Sequence, residues 1–67
     1  MTGSAGLPQL LTIDQLAERL RVTHRHVRRL VAERRVPFLR VGRFIRFDPA
    51  QIALWLDSSR VPDYQAE

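Results

Sequence analysis

The stretch TIDQLAERLRVTHRHVRRLVA, residues 12–32, decides how this chain folds. Thr12 followed by Gln15 makes a capping box, in which each side chain serves the other residue's backbone N–H, and Leu11 and Leu16 stand as a hydrophobic staple across it. Ile13, Leu16, Ala17 and Leu20 then recur at i, i+3, i+4 and i+7, while Asp14, Gln15, Glu18 and Arg19 fall on the other side; the spacing predicts a short helix with one buried face. Arg21, Val22 and Thr23 interrupt the pattern. Thr23 is placed to cap a second helix with Val22 and Val27 as its staple, and Val27, Leu30 and Val31 repeat the one-faced spacing. Two helices are expected on either side of a turn of about three residues, with Val22 as its buried plug.

Beyond Arg35 the period changes. Residues 38–47 are rich in β-branched and aromatic side chains around Gly42, and Pro37 closes the preceding helix, so they read as a hairpin with Gly42 and Arg43 in its bend. Register decides the faces. An even loop would set Leu39 opposite Arg46 on one face, which buries a charge or exposes a leucine. An odd loop of about three residues gathers Leu39, Ile45 and Phe47 on one face and Arg40 with Arg46 on the other, and is the expected form. Asp48 and Pro49 open a third helix as cap and first residue, and Gln51 completes a box-like pair with the cap. Phe47 and Ile52 staple that helix; Ile52, Trp55 and Leu56 form its buried stripe, and Ser58-Ser59 ends it.

The order helix, helix, hairpin, helix predicts a mainly α fold with a small β-hairpin, a winged helix-turn-helix whose second helix enters the major groove of DNA. It is expected over residues 11–57, between a disordered N-terminal tail at 1–10 and a flexible C-terminal tail at 58–67. Composition agrees. The chain has 67 residues, 45% hydrophobic and 27% charged, with no Cys; this leaves room for one small domain and excludes disulfides, Cys-ligated zinc and thiol chemistry. No apolar run approaches the roughly 18 residues that span a bilayer, and no membrane partner is expected. The expected location is the cytoplasm, in association with the nucleoid.

Charge is polarised along the chain. From Arg19 to Arg46 there are ten Arg and one acid, Glu33, giving +9, whereas outside that window Arg60 stands against six acids, giving −5. All eleven basic residues are Arg. Guanidinium grips phosphate or guanine through two parallel hydrogen bonds, which an ammonium cannot, so the distribution suits a polyanion held on one side of the molecule.

At about 100° per residue, Arg25, Arg29 and Ala32 point directly away from the Val27/Leu30/Val31 stripe. Arg28 flanks them, and His24 and His26 occupy the margins. No acid interrupts residues 24–32, unlike an ordinary solvated helix face, where both signs are interspersed. Arg25 and Arg29 are assigned to base edges, guanine above all, and Thr23, His24 and Arg28 to phosphates or the groove wall. Arg40, Arg43 and Arg46 of the hairpin are expected to track phosphates, with Arg43 at the tip entering an adjacent minor groove. Phe44 either packs on the hairpin stem or touches a sugar or base edge. The two His, at i and i+2, lie about 200° apart on a helix, which makes no metal site. No cofactor or small-molecule effector is implied, and no catalytic set appears, so enzyme activity is not expected. On the third helix, Leu54 lies opposite the buried stripe and should be exposed; with Val61 and Tyr64 of the tail it is a candidate contact for another protein.

The stretch TIDQLAERLRVTHRHVRRLVAERRVPFLRVGRFIRFDPAQIALWL resembles the excisionase-type helix-turn-helix family, related to the DNA-binding heads of mercury-resistance-type regulators. The most specific parts are Leu16-Ala17, Val22-Thr23, Val36-Pro37, Val41-Gly42-Arg43, Arg46-Phe47 and Trp55-Leu56. Two positions depart from the family, which commonly has Gly in the inter-helix turn and after helix two, where this chain has Arg21 and Arg34. An Arg at φ > 0 costs roughly 1 kcal/mol relative to Gly. Either the turn is remodelled or the added charge compensates through phosphate contact. The resemblance implies a recombination directionality factor of a phage or integrated element: a small non-enzymatic protein that binds repeated sites in double-stranded DNA, bends them and turns an integrase toward excision. Its partners would be DNA, an integrase and neighbouring copies of itself. The shortness of the chain agrees with that role. The alternative is a stand-alone transcriptional regulator of the same fold.

Overall fold

The computed structural model describes residues 7–61. Along the chain run α1 (Ile13–Leu20), α2 (His24–Ala32), β1 (Leu39–Val41), β2 (Phe44–Arg46) and α3 (Pro49–Ser58). Three helices and one antiparallel hairpin make the mainly helical, winged arrangement that the sequence pattern predicts.

The helix starts follow from their caps. Thr12 Oγ1 accepts from the Gln15 N–H at 3.1 Å, and the Thr12 N–H donates to Gln15 Oε1 at 2.9 Å, so the capping box of α1 is complete. Thr23 Oγ1 accepts from the His26 N–H at 3.0 Å to start α2. Asp48 caps α3 through the Ala50 N–H at 3.0 Å rather than through the expected pairing with Gln51.

The helix ends are more unusual. Arg21 turns left-handed at φ 60, with its N–H donating to Glu18 O at 3.2 Å and the Val22 N–H donating to Ala17 O at 3.0 Å. Arg34 repeats the geometry at φ 54, with its N–H on Val31 O at 3.0 Å and the Arg35 N–H on Leu30 O at 2.8 Å. These are paired Schellman closures of the kind glycine usually makes. Neither turn is remodelled to relieve its arginine, so each carries a strain of roughly 1 kcal/mol relative to glycine. The closure also corrects one expectation: Val22 is 37% exposed, not a buried plug. Its N–H is tied back into α1, which leaves the side chain outside the turn, and Leu16, Ala17 and Val27 fill the interior instead.

The hairpin pairs Leu39 with Arg46, Arg40 with Ile45 and Val41 with Phe44. The bend is therefore the two residues Gly42 and Arg43, not three, and the expected odd loop is wrong. Arg40 and Arg46 lie on opposite faces, and Leu39 is separated from Ile45 and Phe47. The physical reason is that, among the described residues, nothing is layered over the outer face of this ribbon. Exposing Leu39, at 44%, costs little there, and the two-residue turn, with Gly42 at φ 64 in the first bend position, matches the twist of the strands. Arg46 escapes the burial penalty too: its Nη1 donates to Ile45 O at 2.7 Å, and its guanidinium lies 5.1 Å from the Phe44 ring centre.

The buried core comprises Leu11, Leu16, Ala17, Val27, Val36, Phe47 and Ile52. Leu11 enters it by bridging to Phe47, through N–H to O bonds of 2.8 and 2.9 Å, so the segment before α1 runs beside the end of β2. Phe47, completely buried, contributes about 3 kcal/mol by its apolar area. On α3 only Ile52 is buried; Trp55 is half-buried and Leu56 is 41% exposed, which corrects the expected three-residue stripe. α3 rests on its first turn, and Trp55 Nε1 donates to Arg35 O at 2.9 Å, fastening the helix to the chain just beyond α2. An open groove remains between α1 and α3, lined by Leu16, Leu20, Ala53 and Leu56. Among the described residues, no helix is long and apolar enough to cross a membrane.

Candidate nucleic-acid interface

Two hollows flank α2. The first lies between α2 and the hairpin and is lined by His24, Arg28 and Ala32 on one side and by Arg43, Phe44 and Arg46 on the other. Thr12 and Asp14, from the start of α1, complete its rim. The second is formed by Thr23, Arg25, His26 and Arg29 at the opposite margin of the helix. Arg25 and Arg29 line this second hollow and Arg28 the first, although Arg28 is only about 60° from Arg25 around the helix. The fold brings Arg28 to the wing arginines and leaves Arg25 and Arg29 on the adjoining exposed surface. Arg40 lines neither hollow, because the two-residue bend turns it to the other face from Arg46.

Most of these guanidinium groups have no acid to satisfy them. Among the described residues, Arg25, Arg28, Arg40, Arg43 and Arg46 make no ion pair, and only Arg29 does, with Glu33 at 3.5 Å. An exposed i,i+4 pair is worth about 0.3–0.5 kcal/mol, little enough for Arg29 to exchange Glu33 for a stronger partner. The same Glu33 receives Arg35 at 3.3 Å. A block of cations with so little internal counter-charge is matched chemically to an external polyanion.

Phe44 joins the two wing arginines. It is 52% exposed, and the Arg43 and Arg46 guanidinium groups lie 5.6 and 5.1 Å from its ring centre. The ring therefore packs only partly on the stem, opposite Val41, and holds both guanidinium groups at the edge of the first hollow. This restricts their rotamers at a site where ordering them on binding would otherwise cost entropy.

Asp14 is the residue that the sequence pattern did not flag. Its position on the polar side of α1 looks like ordinary solvation, yet the turn folds it against His24, whose Nδ1 it contacts. A carboxylate at that nitrogen makes Nδ1 the proton-bearing one and leaves Nε2 directed elsewhere. Val36, also unremarked as a core residue, lies in the segment joining α2 to the hairpin and is buried. Of the candidate protein contacts, Leu54 is 65% and Val61 62% exposed. Tyr64 lies outside the described residues.

The helix-turn-helix domain family model matches residues 10–60, all of the ordered framework described above. No curated protein and no solved structure gives a significant match to the chain.

Proposed function

As a member of the helix-turn-helix domain family the chain is a DNA-binding protein, and we propose that it reads double-stranded DNA sequence-specifically, with α2 in the major groove and the hairpin along the neighbouring backbone. Arg25 and Arg29 take base edges. Thr23, His24 and Arg28 take phosphates or the groove wall, and Arg43 and Arg46 track phosphates, with Arg43 at the minor groove, while Arg40, on the other face of the ribbon, is left out of this surface. The observation that carries this reading is the hollow in which Arg28 of α2 faces Arg43 and Arg46 of the wing. Two separate elements present guanidinium to one concave surface. A salt titration with duplex tests it: log K should fall steeply with log salt, and a salt-insensitive or absent complex rejects it.

We infer further that the protein acts by binding alone, as an excisionase that bends attachment-site DNA and directs an integrase. The support is the likeness of residues 11–56 to excisionase-type domains, together with an exposed apolar site at Leu54 and Val61 for an integrase or a neighbouring copy. A stand-alone transcriptional regulator is the second reading. Footprints of the DNA flanking the gene, with and without a neighbouring integrase, separate the two. Spaced direct repeats at an attachment site favour excision control; protection confined to a promoter favours regulation.

A further inference from the structure

We propose that Arg21 and Arg34 are backbone contacts to DNA, one beyond each end of α2, which together grip the phosphate rails on either side of the groove that this helix enters. The inference rests on α2 being the major-groove helix.

Both arginines stand where a side chain is strained, at φ 60 and φ 54. At the third left-handed position among the described residues the chain does use glycine, Gly42 at φ 64, although a Cβ there would meet nothing within 4 Å. Arginine at the other two positions therefore lowers stability, and within the fold nothing compensates. Among the described residues, neither side chain pairs with an acid or donates a hydrogen bond, and both are exposed. Arg29 and Arg35 pair with Glu33, Arg60 pairs with Asp57, and Arg46 bonds Ile45 O, so unsatisfied guanidinium is not the rule for every arginine here.

A cation near a helix C-terminus gains something from the macrodipole, but the effect is screened at exposed ends and needs no left-handed residue. Arg19 and Arg29, in the last turns of α1 and α2, already supply that charge. What remains is an external anion. Geometry selects it: a helix with its side chains is about 10–12 Å across, close to the roughly 12 Å width of the major groove, and α2, with nine residues, is short enough to keep both flanking positions near that groove. A helix that just fills the groove carries its two flanking residues to the phosphates at the groove's edges.

The test uses the full chain with Arg21→Gly and Arg34→Gly, singly and together, and Arg21→Lys and Arg34→Lys as charge-retaining partners. Thermal unfolding is paired with anisotropy titration of a labelled mixed-sequence duplex of about 25 base pairs, between about 50 and 200 mM salt. Each Gly variant is expected to melt about 4–8 °C higher, since relief of strain is the only change inside the fold. Each should also bind about fivefold more weakly near 0.15 M salt, with the salt slope reduced by about 0.9. The Lys variants should keep the slope and gain no melting temperature. Gly variants that melt higher yet bind and respond to salt like the parent overturn the proposal. Gly variants that melt no higher also overturn it, because the argument begins from strain. If the parent chain forms no salt-sensitive complex, the DNA reading itself has failed, and this inference falls with it.

Discussion

The Asp14 carboxylate of α1 contacts Nδ1 of His24, the first residue of α2, at the rim of the hollow that the wing arginines share. An acid is thereby held beside a surface otherwise shaped to receive phosphate. At a separation of about 8 Å in water, one charge repels another by about 0.5 kcal/mol. Asp14→Asn should therefore tighten duplex binding about twofold to threefold at low salt. Weaker binding in an anisotropy titration would instead make Asp14 a positioning residue for His24.

Arg25 and Arg43 should fail in different ways. Arg25→Ala removes a guanidinium assigned to a base edge, so it should cost about 1–3 kcal/mol on the preferred site and far less on random duplex, flattening discrimination at one base pair. Arg43→Ala should weaken both duplexes alike and reduce the salt slope by about 1. Identical behaviour of the two variants on both duplexes would contradict the division between reading and positioning.

The hairpin bend makes a stability prediction. A Cβ on Gly42 would touch nothing within 4 Å, so Gly42→Ala introduces no clash and only the strain of φ 64. The expected loss is about 1 kcal/mol, which lowers the melting temperature by about 4–8 °C. An unchanged midpoint would mean that the bend relaxes to another turn.

Trp55 fastens α3 to the end of α2 through its 2.9 Å bond to Arg35 O. Trp55→Phe keeps much of the ring and removes the donor; because water can reach the freed carbonyl, the cost should be about 1 kcal/mol in urea unfolding. A loss beyond about 3 kcal/mol would show that the ring's packing, not its hydrogen bond, holds the helix.

Leu54 is 65% exposed, and substitution at such a surface position should change stability by no more than about 0.5 kcal/mol. Leu54→Asp should therefore fold normally and keep single-site affinity while losing cooperative assembly on adjacent sites. Equal loss of affinity and cooperativity in band-shift titrations would point to a folding role instead.

Local chemistry made much of this molecule legible in its residues. Thr12 with Gln15, Thr23, and Asp48-Pro49 mark the three helix starts, because capping is settled within a single turn of chain. The faces of α2 follow in the same way from 100° per residue: Val27 is buried and Arg25, Arg28 and Arg29 are exposed, as their spacing requires. Where two distant segments had to be set against each other, the local pattern was insufficient. Hairpin register depends on whether another layer covers the ribbon; among the described residues none covers Leu39, so turn geometry prevailed and Arg40 parted from Arg46. Val22 and Leu56 have the right period for burial, but the Schellman closure at Arg21 and the lean of α3 leave both partly in solvent.

Helix boundaries, the arginine-rich face of α2 and the excess of cation over acid between residues 19 and 46 were determined by sequence alone, since each depends on neighbours within a few residues. The meeting of Arg28 with Arg43 and Arg46, the approach of Asp14 to His24 and the bridge from Leu11 to Phe47 were decided only by the tertiary structure. They join residues 10 or more positions apart, and packing around Leu16, Val27 and Phe47, not local propensity, brings such residues together.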